Sequence, residues 1–267
     1  MPRALSGTTA LHYELVGDPR APALVLIRGL ARSIGYWLDF RDRVARRFRL
    51  VLLDNRGVGR SDRPRPPYRT TQMADDVAAV LDHAGIDRAH VFGVSLGGMI
   101  AQWVALRHPA RVDRLALGCT TAGGSLGRRV PVDAAASLLR GAFMPFEGAM
   151  RHTAPFVISA STLSSRPDVL ERWMALAREQ PVPLPALLGQ LLAGMRHDAS
   201  GHLDRIEAPT LVLTGDADRL IPAANSYLLA ERIPGARLCV LPGAGHDFPT
   251  DQPDATARVL ESFLLGS

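Results

Sequence analysis

The sequence predicts an α/β fold with a mainly parallel sheet and helices on both faces. Short apolar runs alternate with longer helix-like segments along most of the chain. The middle runs are continuous in Val, Leu and Ile rather than alternating with polar residues, the pattern of strands covered on both sides. Alternating strands and helices imply right-handed crossovers and parallel neighbours, and such a sheet binds its ligands at the carboxyl ends of its strands.

In chain order, Leu11–Val16 and Ala23–Arg28 read as strands, followed by a helix over Tyr36–Arg47. A strand at Arg49–Asp54 leads to a helix at Thr71–Ala84, and a strand at Ala89–Val94 to a helix at Leu96–Arg107. Arg114–Cys119 is the next strand. The alternation then stops, because no convincing strand occurs between Thr120 and Ile206. It resumes with strands at Thr210–Gly215 and Arg237–Leu241 and helices at Ala223–Arg232 and Asp254–Leu265. The interruption is too long for a loop. It holds helix-like pieces near Asp133–Phe143, Asp168–Glu179 and Leu184–Met195, so residues 120–205 are expected to be an inserted helical unit on a core of residues 1–119 and 206–267. Apolar side chains such as Phe143, Met150, Trp173 and Met195 should pack that unit onto the sheet, some of them roofing an apolar pocket.

At 267 residues, with 47% hydrophobic and 21% charged residues, the chain suits one large domain carrying an insertion. The N-terminal stretch Met1–Gly7 has no apolar signal-like region, and no run approaches the ~20 residues needed to span a bilayer. A cytoplasmic protein with no membrane span is expected. Cys119 and Cys239 each lie in or just after a strand-like run and read as core thiols. All 31 basic residues are arginine, which excludes a Schiff-base lysine, a phosphate-loop lysine and a Ser-Lys dyad. The net charge is +5, with ten arginines between Arg41 and Arg69. Asp39, Asp42, Asp54 and Asp62 are interspersed without interleaved aromatics, so this is a solvated face and no nucleic-acid partner is expected.

The chemistry centres on Gly93-Val94-Ser95-Leu96-Gly97, which joins a strand-like run to a helix-like one. Strand, Gly-x-Ser-x-Gly and helix in that order make a nucleophile elbow, holding the serine oxygen at the carboxyl edge of the sheet beside helix N-terminal amides. The pattern recurs at Gly123-Gly124-Ser125-Leu126-Gly127, but Arg128-Arg129-Val130-Pro131 follows, with proline where a helix should be settling. That copy reads as a loop. A serine hydroxyl needs an imidazole base that is itself oriented by a carboxylate. Of eight histidines, His246 alone lies in a glycine-rich loop at the carboxyl end of a strand-like run. Asp216 and Asp218 follow the preceding strand. Reaching across to the histidine needs some distance from the strand end, which favours Asp218 and leaves Asp216 as a turn former.

On these stretches the chain resembles the α/β-hydrolase superfamily with a helical cap. The supporting motifs are Gly29-Leu30, Asp54-Asn55-Arg56-Gly57-Val58-Gly59-Arg60-Ser61, the elbow, Gly215–Pro222 and Gly245-His246. The elbow through Trp103 is similar to that of 3-oxoadipate enol-lactonases, as is Glu171-Arg172-Trp173 within the cap. The resemblance implies an eight-stranded, mainly parallel sheet and an oxyanion hole made by the backbone N–H groups of Leu30 and Leu96. It also marks a departure, Arg28-Gly29 where relatives usually have His-Gly. Arg28 either anchors the loop by hydrogen bonds or pairs with an anionic substrate group. Arg28, Gly29 and Trp173 are the candidate substrate contacts. Gly57 and Gly59 should shape a turn beneath the oxyanion loop.

No cysteine pair or His-x-x-x-His spacing suggests a metal, and no cofactor is expected. The expected activity is serine hydrolysis of a small-molecule carboxylic ester or lactone, with Ser95 as nucleophile, His246 as base and Asp218 as its orienter, in a monomer or homodimer. The alternatives are other superfamily chemistries on the same triad, namely C–C bond hydrolase, aminopeptidase, perhydrolase or hydroxynitrile lyase, or a low-turnover ligand-binding protein.

Overall fold

The computed structural model describes residues 2–141 and 143–266, so the outermost residues of the expected core and position 142 of the expected insertion lie outside the described residues. Eight strands form one sheet: β1 (Arg3–Ser6), β2 (Thr9–Val16), β3 (Ala23–Ile27), β4 (Arg49–Leu53), β5 (Ala89–Val94), β6 (Val112–Gly118), β7 (Thr210–Gly215) and β8 (Arg237–Leu241). Their spatial order is β1-β2-β4-β3-β5-β6-β7-β8. β1 and β2 pair antiparallel, as do β2 and β4, and every pair from β4 to β8 is parallel.

The helices in chain order are α1 (Leu38–Val44), α2 (Thr70–His83), α3 (Leu96–Arg107), α4 (Val132–Gly141), α5 (Phe146–Val157), α6 (Ala160–Ser165), α7 (Pro167–Glu179), α8 (Leu184–Met195), α9 (Ala224–Arg232), α10 (Phe248–Asp251) and α11 (Pro253–Leu265). α4 to α8 all lie between β6 and β7, which is the inserted helical stretch.

The continuous apolar runs have a simple cause. Successive strand side chains point to opposite faces, and here both faces are buried. Val25, Ile27, Val51, Leu53, Val91, Leu115, Leu117 and Val212 join one core with side chains of α2, α3 and α9. Leu24, Leu26, Leu50, Leu52, Phe92, Ala116, Leu211 and Leu213 join the other with side chains of α1 and α11. A third, smaller cluster of Tyr36, Ile158, Val169 and Trp173 fastens the insertion to the sheet domain.

Several elements differ from expectation for local reasons. β1 is a four-residue edge strand with two exposed positions, too short to show a period. The expected helix over Tyr36–Arg47 is split: a 3-10 turn covers Ile34–Trp37, Leu38 takes φ 43°, and α1 follows. α5 carries Pro155 in its interior, and proline removes a helix hydrogen bond, which hides the helix from a sequence reading. Phe143 and Met195, expected to pack or roof a pocket, are 85% and 73% exposed.

Candidate active site

Ser95 stands between the end of β5 and the start of α3, at φ 58° and ψ −121°. A non-glycine residue in this region is strained, and the surroundings must over-determine it. They do so through two glycines. A Cβ at Gly93 would run into the carbonyl of Gly97, and a Cβ at Gly97 into that of Ile27 on β3. The Ser95 amide donates to Gly118 O (2.9 Å), while its carbonyl accepts from the Thr120 hydroxyl (2.8 Å) and the Gly98 amide (2.9 Å). The chain cannot relax at Ser95 without disturbing β3, β6 and α3 together.

The loop after β7 supplies Asp218. Its Oδ1 accepts from the Leu220 and Ile221 amides (2.8 and 2.9 Å), and its Oδ2 faces His246 Nδ1 at 2.9 Å. Asp216 is exposed, and its carboxylate accepts from the Gly243 amide (2.6 Å), tying the β7 and β8 loops together as a turn former. His246 is buried at the end of the loop after β8. Burial by itself disfavours the imidazolium, but the charge and hydrogen bond of Asp218 outweigh it and hold the His246 pKa well above the ordinary value. With Nδ1 held by Asp218, Nε2 is the nitrogen left for proton transfer.

The insertion holds the histidine loop. The Asp247 amide donates to Val157 O (2.8 Å), and the Asp251 carboxylate accepts from both Gly245 (2.7 Å) and Ser159 (3.1 Å) amides. From below, the Cys119 thiol donates to His246 O at 2.9 Å. Cys119, Asp218 and His246 carry potential metal-ligating atoms within 4.8 Å of one another. Burial raises the thiol's pKa and keeps it a neutral hydrogen-bond donor, a poor ligand.

The loop after β3 lies against the serine. A Cβ on Gly29 would approach Ser95 Cβ at 3.1 Å and Oγ at 3.5 Å. Among the described residues, neither the Leu30 nor the Leu96 amide donates to another group of the chain. Below this loop, Asp54 accepts from the Ile34 and Arg60 amides (2.8 and 2.9 Å), and Asn55 Nδ2 donates to Arg28 O (3.0 Å). Gly59, at φ 56°, lets the following turn close over the Asp54 carboxylate.

Arg28 is buried, and both its terminal nitrogens reach Asp247, Nη1 to Oδ1 at 3.1 Å and Nη2 to Oδ2 at 2.6 Å. Its guanidinium also lies 4.6 Å from the Trp37 ring centroid. Burial would raise the Asp247 pKa, but Arg28 holds the carboxyl below its ordinary range. These contacts are those of an anchor, one of the two roles expected for Arg28, and Asp247 takes up the guanidinium fork. Trp173, the third candidate contact, is fully buried in the small cluster beneath α7, where its carbonyl accepts from the Tyr36 hydroxyl (3.2 Å).

Two supporting residues escape a sequence reading. Gln190 of α8 accepts from the Ala31 amide and donates to Arg56 O, both at 2.9 Å, bridging the loop after β3 to the Asp54–Ser61 turn. Nothing in the apolar Leu184–Met195 run marks it. Asp247 had a signal, since an arginine where a histidine is usual requires a buried partner. A separate cavity of about 320 Å³ is lined by Tyr68, Arg69, Trp103 and Arg196. Trp103 lies eight residues along α3 from Ser95, about 12 Å away at the helical rise, and no member of the Ser95, Asp218 and His246 set lines it.

Comparison with known proteins places this geometry. A family profile described as alpha/beta hydrolase fold matches residues 22–253. A protein provisionally named carbamate hydrolase RutD from Azorhizobium caulinodans is 32% identical over 100% of this chain and 97% of its own length. 3-Oxoadipate enol-lactonase 2 from Acinetobacter baylyi is 30% identical over 96% and 93%. The crystal structure of the enol-lactonase from Burkholderia xenovorans LB400 superposes with a TM-score of 0.86 at 27% identity, covering 99% of this chain and 100% of that one.

Proposed function

The chain belongs to the α/β hydrolase fold family, and on that premise we propose that it is a cofactor-free serine hydrolase cleaving a carboxylic ester or lactone through an acyl-enzyme on Ser95. The observation that carries this reading is the buried Asp218–His246 pair at 2.9 Å, on the sheet edge where β5 presents a strained serine.

In this reading the Ser95 oxygen attacks the substrate carbonyl while His246 Nε2 takes its proton. Asp218 fixes the tautomer and stabilises the imidazolium that forms. The carbonyl oxygen becomes an anion facing the amides of Leu30 and Leu96, whose N–H groups are not consumed by the chain's own acceptors. His246 returns the proton to the leaving alcohol, or to the alkoxide end of an opened lactone. Water then enters, loses its proton to His246 and releases the acid. Residues 120–205 act as the cap in this scheme, since Val157, Ser159 and Gln190 hold the histidine and oxyanion loops.

Hydrolysis of p-nitrophenyl esters from acetate to long-chain acyl, by wild type and Ser95→Ala, tests the proposal. Turnover abolished by the substitution is expected, and the chain-length optimum sizes the acyl site. Equal turnover by Ser95→Ala would remove Ser95 as the nucleophile.

A further inference from the structure

The first turn after β3 holds a residue in a conformation it does not favour. The Arg32 amide closes the turn onto Gly29 O (3.3 Å), which makes Leu30 and Ala31 its two central residues. Ala31 has φ 57°, while Leu30 does not have a positive φ. Positive φ at the second central position alone is the pattern of a type II turn, where glycine is the usual residue. An L-residue there is strained and stays only while its neighbours fix it.

Gln190 supplies the fixing contact. Its Oε1 accepts from the Ala31 amide at 2.9 Å, and its Nε2 donates to Arg56 O at 2.9 Å. The side chain is fully buried, so neither contact is exchanged for water. Only one orientation of its amide satisfies both partners, since the reverse would set N–H against N–H and oxygen against oxygen. The far end is itself rigid, because the buried Arg56 guanidinium pairs with both Asp76 oxygens (2.7 and 2.6 Å). The inner face of α8 carries Ala186, Gly189, Gln190 and Ala193. A Cβ on Gly189 would meet the Tyr68 ring at 2.8 Å, so this face of small residues lets α8 lie close enough for Gln190 to span both loops. Type I and type II turns differ by a flip of the central peptide, here the one whose N–H Gln190 holds.

We propose that Gln190 is a positioning residue for the Ser95 chemistry: by holding the Leu30–Ala31 peptide it keeps the adjoining Leu30 amide aimed at the substrate carbonyl oxygen. A residue of the insertion thereby completes the oxyanion hole. The proposal rests on the serine-hydrolase reading above and gives helix α8 a part in the chemical step. Its benefit falls in the transition state, where the oxygen becomes an anion, and not in the binding of the neutral ester.

The test uses the best p-nitrophenyl ester of the chain-length series with wild type, Gln190→Met, Ala31→Gly and the double variant. Gln190→Met should lower kcat by about 100-fold while KM stays within about threefold. In the Ala31→Gly background the same substitution should cost about tenfold less, because glycine adopts positive φ without strain. A trifluoromethyl ketone with the same acyl chain forms a tetrahedral oxyanion on Ser95, and it should lose affinity for Gln190→Met in step with kcat/KM. The matching methyl ketone, which stays a neutral carbonyl, should bind both proteins alike. A rise in KM at unchanged kcat, equal losses in the two backgrounds, or equal weakening of the two ketones would mean that Gln190 only packs α8 onto the core, and the proposal is overturned. Should Gln190→Met not fold, Gln190→Asn takes its place, one methylene too short to span Ala31 and Arg56. Ser95→Ala separates the two readings. If it abolishes turnover and the Gln190 variants keep the wild-type kcat, only the Gln190 proposal falls. If it cleaves as fast as wild type, or no ester is cleaved at all, the nucleophile assignment falls and Gln190 with it.

Discussion

The chain contains the same five-residue pattern twice, and the two copies have different fates. Gly93–Gly97 joins β5 to α3, and its outer glycines are required because backbone passes directly over them from the elbow itself and from β3. Gly123–Gly127 lies in the loop after β6, where Gly123 (φ 68°) and Gly124 (φ 56°) turn the chain against His197 and Asp198 just past α8. Both sets of glycines permit close approach. In the first the approach compresses a serine into a strained backbone beneath a helix N-terminus. In the second it pins the start of the insertion to its end and leaves Ser125 exposed, with no helix directly behind it. The motif is therefore defined by what its glycines touch.

The strongest way to break this contrast is to remove the hydroxyls. Ser95→Ala should lower ester turnover by about a million-fold, and Ser125→Ala should leave kcat/KM within about twofold of wild type. Loss of activity in the second variant would mean the copies had been assigned the wrong way round.

The charge behind the first copy comes next. Asp218→Asn should reduce kcat by about 10⁴-fold, whereas Asp216→Asn should have a far smaller effect. The pH profile carries a sign. The base must be neutral to act, and Asp218 raises the His246 pKa, so the acid limb of kcat/KM should lie above pH 6.5, with activity still rising through neutrality. In Asp218→Asn the largest raising influence is gone and burial favours the neutral ring, so the limb should move to lower pH.

Alanine at the glycines sharpens the comparison further. Gly97→Ala should cost about 3 kcal/mol of stability and most of the activity, because the clash with Ile27 O displaces the elbow. Gly123→Ala should cost about 2 kcal/mol by urea unfolding, since φ is positive and His197 O lies in the way, while the folded fraction keeps its kcat.

The smallest effect is an acid sensitivity confined to the second region. His197 is buried against the Thr70 hydroxyl (3.2 Å), and burial lowers its pKa to about 4. Between pH 6.5 and about 4 the unfolded chain binds a proton there that the folded chain does not, so stability falls as pH falls through that window. The loss should reach about 2 kcal/mol at pH 5. A urea series in a His197→Phe variant should lack this component of the slope.

The sheet was legible because its strands are buried on both faces and so read as unbroken apolar runs. The Asp218–His246 pairing was legible because loops that follow parallel strands must share one edge. β1 was not, being four residues at an exposed edge. α5 and α6 were obscured by Pro155 and by the shortness of α6. The contacts that set the loop after β3 were least visible. Gln190 and Ala31 are far apart in sequence, and nothing local to either residue requires their hydrogen bond. Arg28 drew attention by its place in the motif, yet its partner Asp247 emerges only from the packed site.

The Arg28–Asp247 pair joins residues 219 positions apart. Its consequence concerns the order in which the parts become available during synthesis. A growing chain makes β3, β5 and the Ser95 turn first, then the whole helical insertion, and only after it Asp218 and His246. Until the loop after β8 emerges, Arg28 has no counter-charge, and the loop beside Ser95 is held only by Asn55 and Gln190. On the serine-hydrolase reading, nucleophile and base thus meet only after the insertion has been made, and the nascent protein is unarmed until then.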